Sequence, residues 1–510
     1  MSNRADALFR QAARIPGKTA VIFEGREWTF SRLLDEAKAY ATSLVDAGFR
    51  RGNKLAIMLV SRPEFIALEY AAFILGGTVV PLNIFYQGNE IEYALGMSDA
   101  DILVIDADYA TRLKDGYEKR CPALRRMFVF GENAKRPLMS DAATLRGDPA
   151  KAPPPVALGP DDVALMLFTS ATTGKAKGVM QTIANLEANQ DASPANLKLR
   201  EDDVILCALP LYNTFALNQC INATVFLGAT LVLLPKFDAL VCLQMIERYR
   251  VTSFPTVPTM MQKVLDHPEV DKYDLRSLRQ FCVGAAPVPA PLLSRLRERI
   301  SKDAVVIHGY GLTESTALVT TLEVVMDENG EIIRPKSIGK ALPGVEVAIL
   351  DESGNPAPIG AVGEICVRGA CVMKGYYKVP EATAEAIRDG WLHTGDLGTV
   401  DADGYFSIVD RKKDLIIRGG QNIYPADIEE ALYHHPSVLE AAVIAQPDAM
   451  LGEVPRAFVA LKSGARATPE ELIAHCKTEL AFYKVPVTID ILPELPKGPT
   501  GKIQRRALRA

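Results

Sequence analysis

The chain has 510 residues, with 57 Lys and Arg against 62 Asp and Glu and a formal charge of -5. Hydrophobic residues make up 48% and charged residues 23%; these ordinary globular values exclude disorder, collagen and coiled coil, and the mild acidity makes no electrostatic case for a nucleic-acid partner. A chain of this length exceeds one small core, so two or more domains are expected.

Eight cysteines are too few for a disulfide scaffold, and no C-x-x-C pair is present to suggest structural zinc. Residues 1–10 carry two Arg and one Asp, with no apolar stretch to serve as a signal peptide. The expectation is a reduced, cytoplasmic protein.

The predicted elements begin with two strands, 20–23 and 28–30, flanking a Glu24-Gly25-Arg26 turn. Ser31 reads as the N-cap of a helix in which Leu34, Ala37, Ala41, Leu44 and Val45 share a face, and Gly48 stops it. Apolar strands at 55–60, 78–82 and 102–105 surround a helix at 63–75. Continuous apolar strands between amphipathic helices predict a parallel sheet covered on both faces. Three successive prolines in 151–155 read as a linker, after which strands resume at 163–168, 204–209, 230–234 and 304–308. The uncharged run 204–235 contains Pro210, Asn213, Asn218, Gln219, Asn222 and Pro235. Such breakers and polar groups are costly in lipid, so it is read as buried strand, loop, helix and strand rather than a membrane span. The pattern changes over the last hundred or so residues, where short strands at 415–417 and 456–461 alternate with helices at 426–433 and 469–480. That alternation predicts a small α+β domain.

Five motifs carry chemistry. After the strand at 163–168 come Thr169, Ser170, Ala171, Thr172, Thr173, Gly174, Lys175, Ala176 and Lys177. Hydroxyls, backbone amides and two lysines in one loop suit polyphosphate oxygens. It is not a Walker A loop, because Ala176 follows the Gly-Lys pair. The second is His308-Gly309-Tyr310-Gly311-Leu312-Thr313-Glu314-Ser315, placed after a strand. Its glycines admit close backbone approach, Tyr310 can stack on a base and Glu314 can hold a hard cation. The third, Trp391-Leu392-His393-Thr394-Gly395-Asp396, puts a carboxylate on a tight turn suited to ribose hydroxyls. The fourth is Asp410-Arg411-Lys412-Lys413-Asp414 with Arg418-Gly419-Gly420, and the fifth is Pro499-Thr500-Gly501-Lys502. Taken singly, the first, second, fourth and fifth have plain alternatives: a polar turn, a glycine-rich turn, a solvated charge run and a surface loop.

In this order and spacing the five resemble the acyl-adenylate-forming (ANL) superfamily of acyl-CoA synthetases, peptide-synthetase adenylation domains and beetle luciferases, from about Phe30 to Arg506. The resemblance implies an α/β fold: a large N-terminal domain of layered sheets with a β-barrel-like subdomain at 1–409, and a small mobile α+β domain at 410–510. It implies activation of a small-molecule carboxylic acid with ATP and Mg2+ to acyl-AMP, then transfer to a thiol. Coenzyme A is the first expectation for that thiol and the phosphopantetheine of an acyl carrier protein the alternative. By the same resemblance, 169–177 surrounds the departing phosphates. Gly284, Ala285 and Ala286 form the adenine-side turn with Gly309, Tyr310 and Gly311. Thr313 meets phosphate, Glu314 binds magnesium, Asp396 and Arg411 hold the ribose, Lys502 is the adenylation lysine and Lys413 is the hinge. The face around 417–420 then serves thiol attack. His308 and His393 also read as packed histidines.

Two departures stand out. The family commonly has Gly where Ala171 stands and Pro where Ala176 stands; many relatives carry His or an aromatic at Asn213 and Gly at Ala216. Implied acyl-pocket residues are Tyr212, Asn213, Ala216, Val257 and Ala317. The pocket segments hold no Asp to pair an ammonium and no Arg or Lys to pair a second carboxylate. Burying an unpaired charge is costly, so a neutral tail is favoured, fatty first and aryl or arylpropenoic second. A nucleotide-binding pseudoenzyme, favoured by Ala171 and Ala176 alone, is the remote alternative. Oligomeric state stays open, a homodimer included.

Overall fold

The structure is a computed structural model that describes residues 3–132, 136–169, 175–284, 288, 290–301, 303–497 and 503–509. The chain divides into two compact units, Met1–Val347 with Val367–Leu392, and Ala348–Cys366 with His393–Ala510. Residue 410, the expected boundary, falls inside the second unit.

The first unit opens on the expected hairpin. Strands Thr19–Phe23 and Arg26–Thr29 pair through Phe23 and Arg26, so the turn is Glu24-Gly25, both with positive φ. That is the two-residue geometry whose twist matches a hairpin. The following helix, Phe30–Asp46, is capped by Thr29 and not by Ser31: the Thr29 hydroxyl accepts from the Arg32 amide at 3.2 Å. Both residues can cap, but the extended backbone at Thr29 puts its oxygen over the first turn.

The apolar runs form one eight-stranded sheet in the order Gly375–Tyr376, Gly178–Thr182, Val163–Phe168, Thr78–Pro81, Lys54–Met58, Ile102–Asp106, Arg126–Phe130, Met139–Asp141. From Val163–Phe168 onward its neighbours are parallel, as the unbroken apolar runs predict. A second set runs Val204–Cys207, Thr230–Leu233, Thr19–Phe23, Arg26–Thr29. Ser253 bridges it through Ile205 and Gln280 to Gln280–Gly284 and Val305–Tyr310. Helix Pro63–Ile74 is buried at every position but Glu64, so it is a core helix rather than an amphipathic one.

In the second unit, Gln421–Ile423, Ile416–Arg418, Gly452–Leu461 and Val438–Asp448 form a sheet, with Thr488–Ile491 parallel to Gly452–Leu461. Helices Pro425–His434 and Pro469–Glu479 contribute Ile428, Leu432 and Leu472 to a core with Ile416, Val443 and Val459. This is the expected α+β arrangement; the long strand Val438–Asp448 is an addition to it.

All eight cysteines are buried and none forms a disulfide. Burial pushes the Cys121, Cys371 and Cys476 thiols up to about 11 and those of Cys242 and Cys282 up to about 12. Nucleophilic thiolate is therefore scarce on these five side chains at neutral pH. Among the described residues no helix is long and apolar enough to cross a membrane.

Candidate active site

In the first unit the phosphate-loop motif joins the antiparallel strands Val163–Phe168 and Gly178–Thr182. Its ends are clamped: the Thr169 amide donates to the Lys177 carbonyl at 3.1 Å, and the Lys177 amide to the Thr169 hydroxyl at 3.3 Å. Ser170, Ala171, Thr172, Thr173 and Gly174 lie outside the described residues. The two lysines rest on tyrosine rings, Lys175 Nζ 5.3 Å from the centroid of Tyr93 and Lys177 Nζ 4.5 Å from that of Tyr376. Such cation–π contacts fix a long side chain without neutralising it. Tyr93 also donates its hydroxyl to the Ala176 carbonyl at 3.0 Å.

The second motif is placed differently from its prediction. His308, Gly309 and Tyr310 do not follow the strand; they are its last three residues, and Gly309 pairs in register with Gly284 of the neighbouring strand. The chain turns at Gly311, where a Cβ would lie 1.4 Å from the Ala317 carbonyl oxygen, so only glycine fits. Thr313–Ser315 is a short 3-10 turn, after which Thr316 and Ala317 hold φ of 56 and 81. Left-handed conformations of such residues store strain and cluster at ligand sites. The turn is anchored from three directions. Gln181 donates to the Thr313 carbonyl at 2.8 Å, the Met373 amide to the Glu314 carbonyl at 2.8 Å, and the Tyr376 hydroxyl to Glu314 Oε1 at 2.9 Å. Burial first, and then the Glu314 carboxylate, hold the Tyr376 hydroxyl well above its ordinary pKa, so it stays a donor. Lys177, Tyr376 and Glu314 thus form one chain of contacts; neither Tyr93 nor Tyr376 was expected from sequence.

His308 is a packed histidine: it is buried, its Nδ1 lies 3.4 Å from the Ser337 carbonyl oxygen, and burial lowers its pKa.

Of the expected acyl-pocket residues, Asn213, Ala216 and Val257 stand near Gly284, and Ala317 meets Gly311 instead. A Cβ there would meet the Phe215 ring at 3.3 Å, which brings up the Asn213–Ala216 turn. The Gly284 amide donates to the Thr256 carbonyl at 3.1 Å, which places Val257 beside the strand end. Ala216, Val257 and Ala317 are buried. Ala285 and Ala286 lie outside the described residues. The Tyr212 hydroxyl is buried with no partner among the described residues, as are Gln219 Oε1 and Asn222 Oδ1.

In the second unit Asp396 does not sit on a tight turn. It lies within the strand Trp391–Val400, in register with Arg411, whose Nε is 3.0 Å from Asp396 Oδ1. Asp396 is buried and Arg411 is half-exposed. Lys413 lies in the 3-10 turn Lys412–Asp414. Gly419 and Gly420 carry φ of 56 and 82 at the two-residue turn between Ile416–Arg418 and Gln421–Ile423. Lys502 lies outside the described residues.

Comparison with known proteins agrees with this architecture. The AMP-binding enzyme family model matches residues 8–377, and the AMP-binding enzyme C-terminal domain model matches 427–502. The chain is 36% identical to a long-chain-fatty-acid–CoA ligase of Bacillus subtilis, covering 98% of this chain and 92% of that one. It is 38% identical to a feruloyl-CoA synthase of Amycolatopsis sp, covering 98% and 97%. Among solved structures, o-succinylbenzoate coenzyme A synthetase from Bacillus subtilis in complex with ATP and magnesium ion superposes with a TM-score of 0.83 at 32% identity, covering 99% of each chain. The chain belongs to the AMP-binding enzyme family of the acyl-adenylate-forming superfamily, with its large N-terminal and smaller C-terminal domain. It is an AMP-forming acid–CoA ligase, a class that uses ATP, magnesium and coenzyme A.

Proposed function

We propose that the protein activates a neutral carboxylic acid, a fatty acid of medium or longer chain, to its acyl-adenylate and then hands the acyl group to coenzyme A. The observation that carries the neutral tail is the residue set gathered at Gly284. Phe215, Ala216 and Val257 are apolar, and no Asp, Arg or Lys stands in 212–219, 254–261 or 282–286. A charged tail left unpaired there would lose its hydration without compensation.

A carboxylate is a weak nucleophile and must approach an anionic α-phosphate, so positioning and charge neutralisation are what the protein adds. Thr169, Lys175 and Lys177, with Ser170, Thr172, Thr173 and Gly174, receive the departing phosphates. Thr313 contacts phosphate, and Gly284, Ala285, Ala286, Gly309, Tyr310 and Gly311 border the adenine. Glu314 fits a magnesium ion, being a hard oxygen donor whose other oxygen is anchored by Tyr376. When bound, that ion neutralises charge on the leaving pyrophosphate. Asp396, oriented by Arg411, accepts from the ribose hydroxyls. Lys502 bridges carboxylate and α-phosphate.

Removing the anchor tests the Glu314 assignment. Tyr376→Phe is expected to raise the magnesium concentration for half-maximal pyrophosphate release by about tenfold, with little change in the saturated rate. An unaltered magnesium dependence would count against it.

Residues 410–510 are proposed to turn about Lys413 between the two half-reactions and bring the 417–420 hairpin to the adenylate. Ile417 and Met450 are 52% and 93% exposed beside that hairpin, an apolar edge suited to a transient contact. Lys413→Pro fixes φ at a position that must change it. It should preserve adenylate formation and slow thioester formation; stopped-flow transfer at the wild-type rate would refute the hinge.

The second reading, an aryl or arylpropenoic acid, has its own support. The acceptors Gln219 Oε1 and Asn222 Oδ1 are buried without partners among the described residues, and a hydroxyl on the tail would satisfy one of them. Thioester formation with coenzyme A, measured for straight-chain acids of increasing length beside ferulic and coumaric acids, decides between them. Higher kcat/KM for the fatty acids is expected; preference for the hydroxyaryl acids would overturn the fatty reading and leave the ligase chemistry intact.

A further inference from the structure

One buried cluster has no part in this chemistry. Glu364 and Cys366 occupy alternate positions of the strand Gly363–Gly369, so their side chains share a face. His393 meets them from the strand Trp391–Val400, and all three belong to the same compact unit. Cys366 Sγ lies 3.4 Å from His393 Nδ1, and Glu364 Oε2 lies 3.1 Å from the same nitrogen. The three ligand atoms fall within 4.8 Å of one another. Glu364 and Cys366 are buried, and the His393 side chain is 12% exposed.

We infer that Glu364, Cys366 and His393 form a binding site for a thiophilic divalent cation, with zinc the ion that best suits their donors. Sulfur, imidazole nitrogen and carboxylate oxygen are the ligands zinc accepts in tetrahedral sites with three protein donors and one open position. From ordinary zinc–ligand bond lengths, the S···N and N···O edges of such a tetrahedron come to about 3.6 and 3.4 Å. The observed separations of 3.4 and 3.1 Å lie a few tenths inside those edges. Convergence on a single ring nitrogen favours coordination. One Nδ1–H cannot point at both the thiol and the carboxylate, whereas one Nδ1 lone pair can point between them at an ion.

The surroundings complete the site. Glu364 Oε1 accepts from the Gly395 amide at 3.0 Å, which leaves Oε2 aimed at the cluster. Lys412 Nζ stands 3.1 Å from that Oε2, and its side chain is 52% exposed. The place thus already attracts a positive charge, and the charge that occupies it can swing into solvent. Zinc binding releases the Cys366 thiol proton to water, forms the S–Zn, N–Zn and O–Zn bonds and moves the ammonium outward. Thiolate and carboxylate together balance the two positive charges of the ion. Because Glu364 also holds the Gly395 amide, occupancy stiffens the strand segment leading to Asp396.

Cobalt(II) tests this, because a thiolate ligand gives it an intense near-ultraviolet charge-transfer band that oxygen sites such as Glu314 do not. Metal-stripped full-length protein, titrated with cobalt(II), is expected to develop that band to one equivalent per chain, and zinc to bleach it. Cys366→Ser should abolish the band, and Cys371→Ser, altering a buried thiol of the other unit, should leave it. His393→Ala should weaken cobalt binding by at least about tenfold, and Lys412→Ala should tighten it by removing the competing ammonium. Metal-free melting curves and circular dichroism check that each variant folds. A wild-type protein without the band, a band that survives Cys366→Ser, or an affinity indifferent to both His393→Ala and Lys412→Ala overturns the site and leaves three hydrogen-bonded core side chains.

Discussion

The Lys502→Ala protein is expected to lose acyl-adenylate formation by about 10²–10³-fold, the cost of removing one preorganised charge from a transition state, and still to transfer the acyl group from supplied adenylate to coenzyme A. The asymmetry follows from where charge develops. In the first half-reaction a carboxylate approaches an anionic α-phosphate, and only a cation placed between them lowers that repulsion. In the second half-reaction a thiol attacks a carbonyl already activated by its AMP leaving group, so the proposed bridging lysine is not expected to act in it. Single-turnover pyrophosphate release measures the first step, and thioester formation from synthetic acyl-AMP measures the second. Equal losses in both would remove Lys502 from its assigned role. Lys497 is the control: its Nζ pairs with Glu440 at 2.6 Å, so Lys497→Ala should leave adenylation unchanged.

The second large effect concerns stability. Glu69 lies mid-way along the core helix Pro63–Ile74, fully buried, and neither carboxylate oxygen has a hydrogen-bond partner among the described residues. Burial pushes its pKa from 4.5 up to about 8, with Arg4 pulling the other way. The folded chain therefore keeps this proton where the unfolded chain releases it. The contribution of Glu69 to stability is full below pH 4.5, declines as the pH climbs toward about 8, and is flat above that. Glu69→Gln removes the titration and keeps the shape. At pH 5 the variant and the parent should unfold at nearly the same urea concentration. At pH 8.5 the variant should be the more stable, by on the order of 4 kcal/mol. A difference that does not change between the two pH values would show that Glu69 stays ionised in the fold.

The parts legible in the sequence are those whose signal is local. The strands Lys54–Met58, Ile102–Asp106 and Val163–Phe168 are short apolar runs between breakers, and the parallel sheet follows from them. The hairpin at Glu24-Gly25 carries its own turn residues, helix Pro425–His434 opens on a proline, and helix Pro469–Glu479 is capped by Thr468. The strand Val438–Asp448 was missed because its apolar stretch suits a helix as well as a strand; pairing along Gly452–Leu461 decides between them. Asp396 looked like a turn residue because Gly395 precedes it, but the register with Arg411 carries the strand through that glycine. Tyr376 stands 62 residues from the carboxylate it anchors, and Tyr93 stands 83 from the carbonyl it holds, so no spacing rule reaches either. The Glu364–Cys366–His393 cluster was invisible for the same reason. His393 stands 29 residues after Glu364, and a search for C-x-x-C pairs passes over the cluster.

The inaccessibility of the native thiols has a practical consequence for spectroscopy. Bulky maleimide dyes have little to react with on the folded chain, since every cysteine is buried. The wild-type sequence is therefore already a low-background host for site-directed fluorophores. Cysteines introduced at Phe85, 54% exposed in the first unit, and at Met450, 93% exposed in the second, give one donor and one acceptor position without stripping the native residues out. Energy transfer between them, followed molecule by molecule as acid with ATP and then coenzyme A are added, would turn the proposed alternation between half-reactions into a distance trajectory.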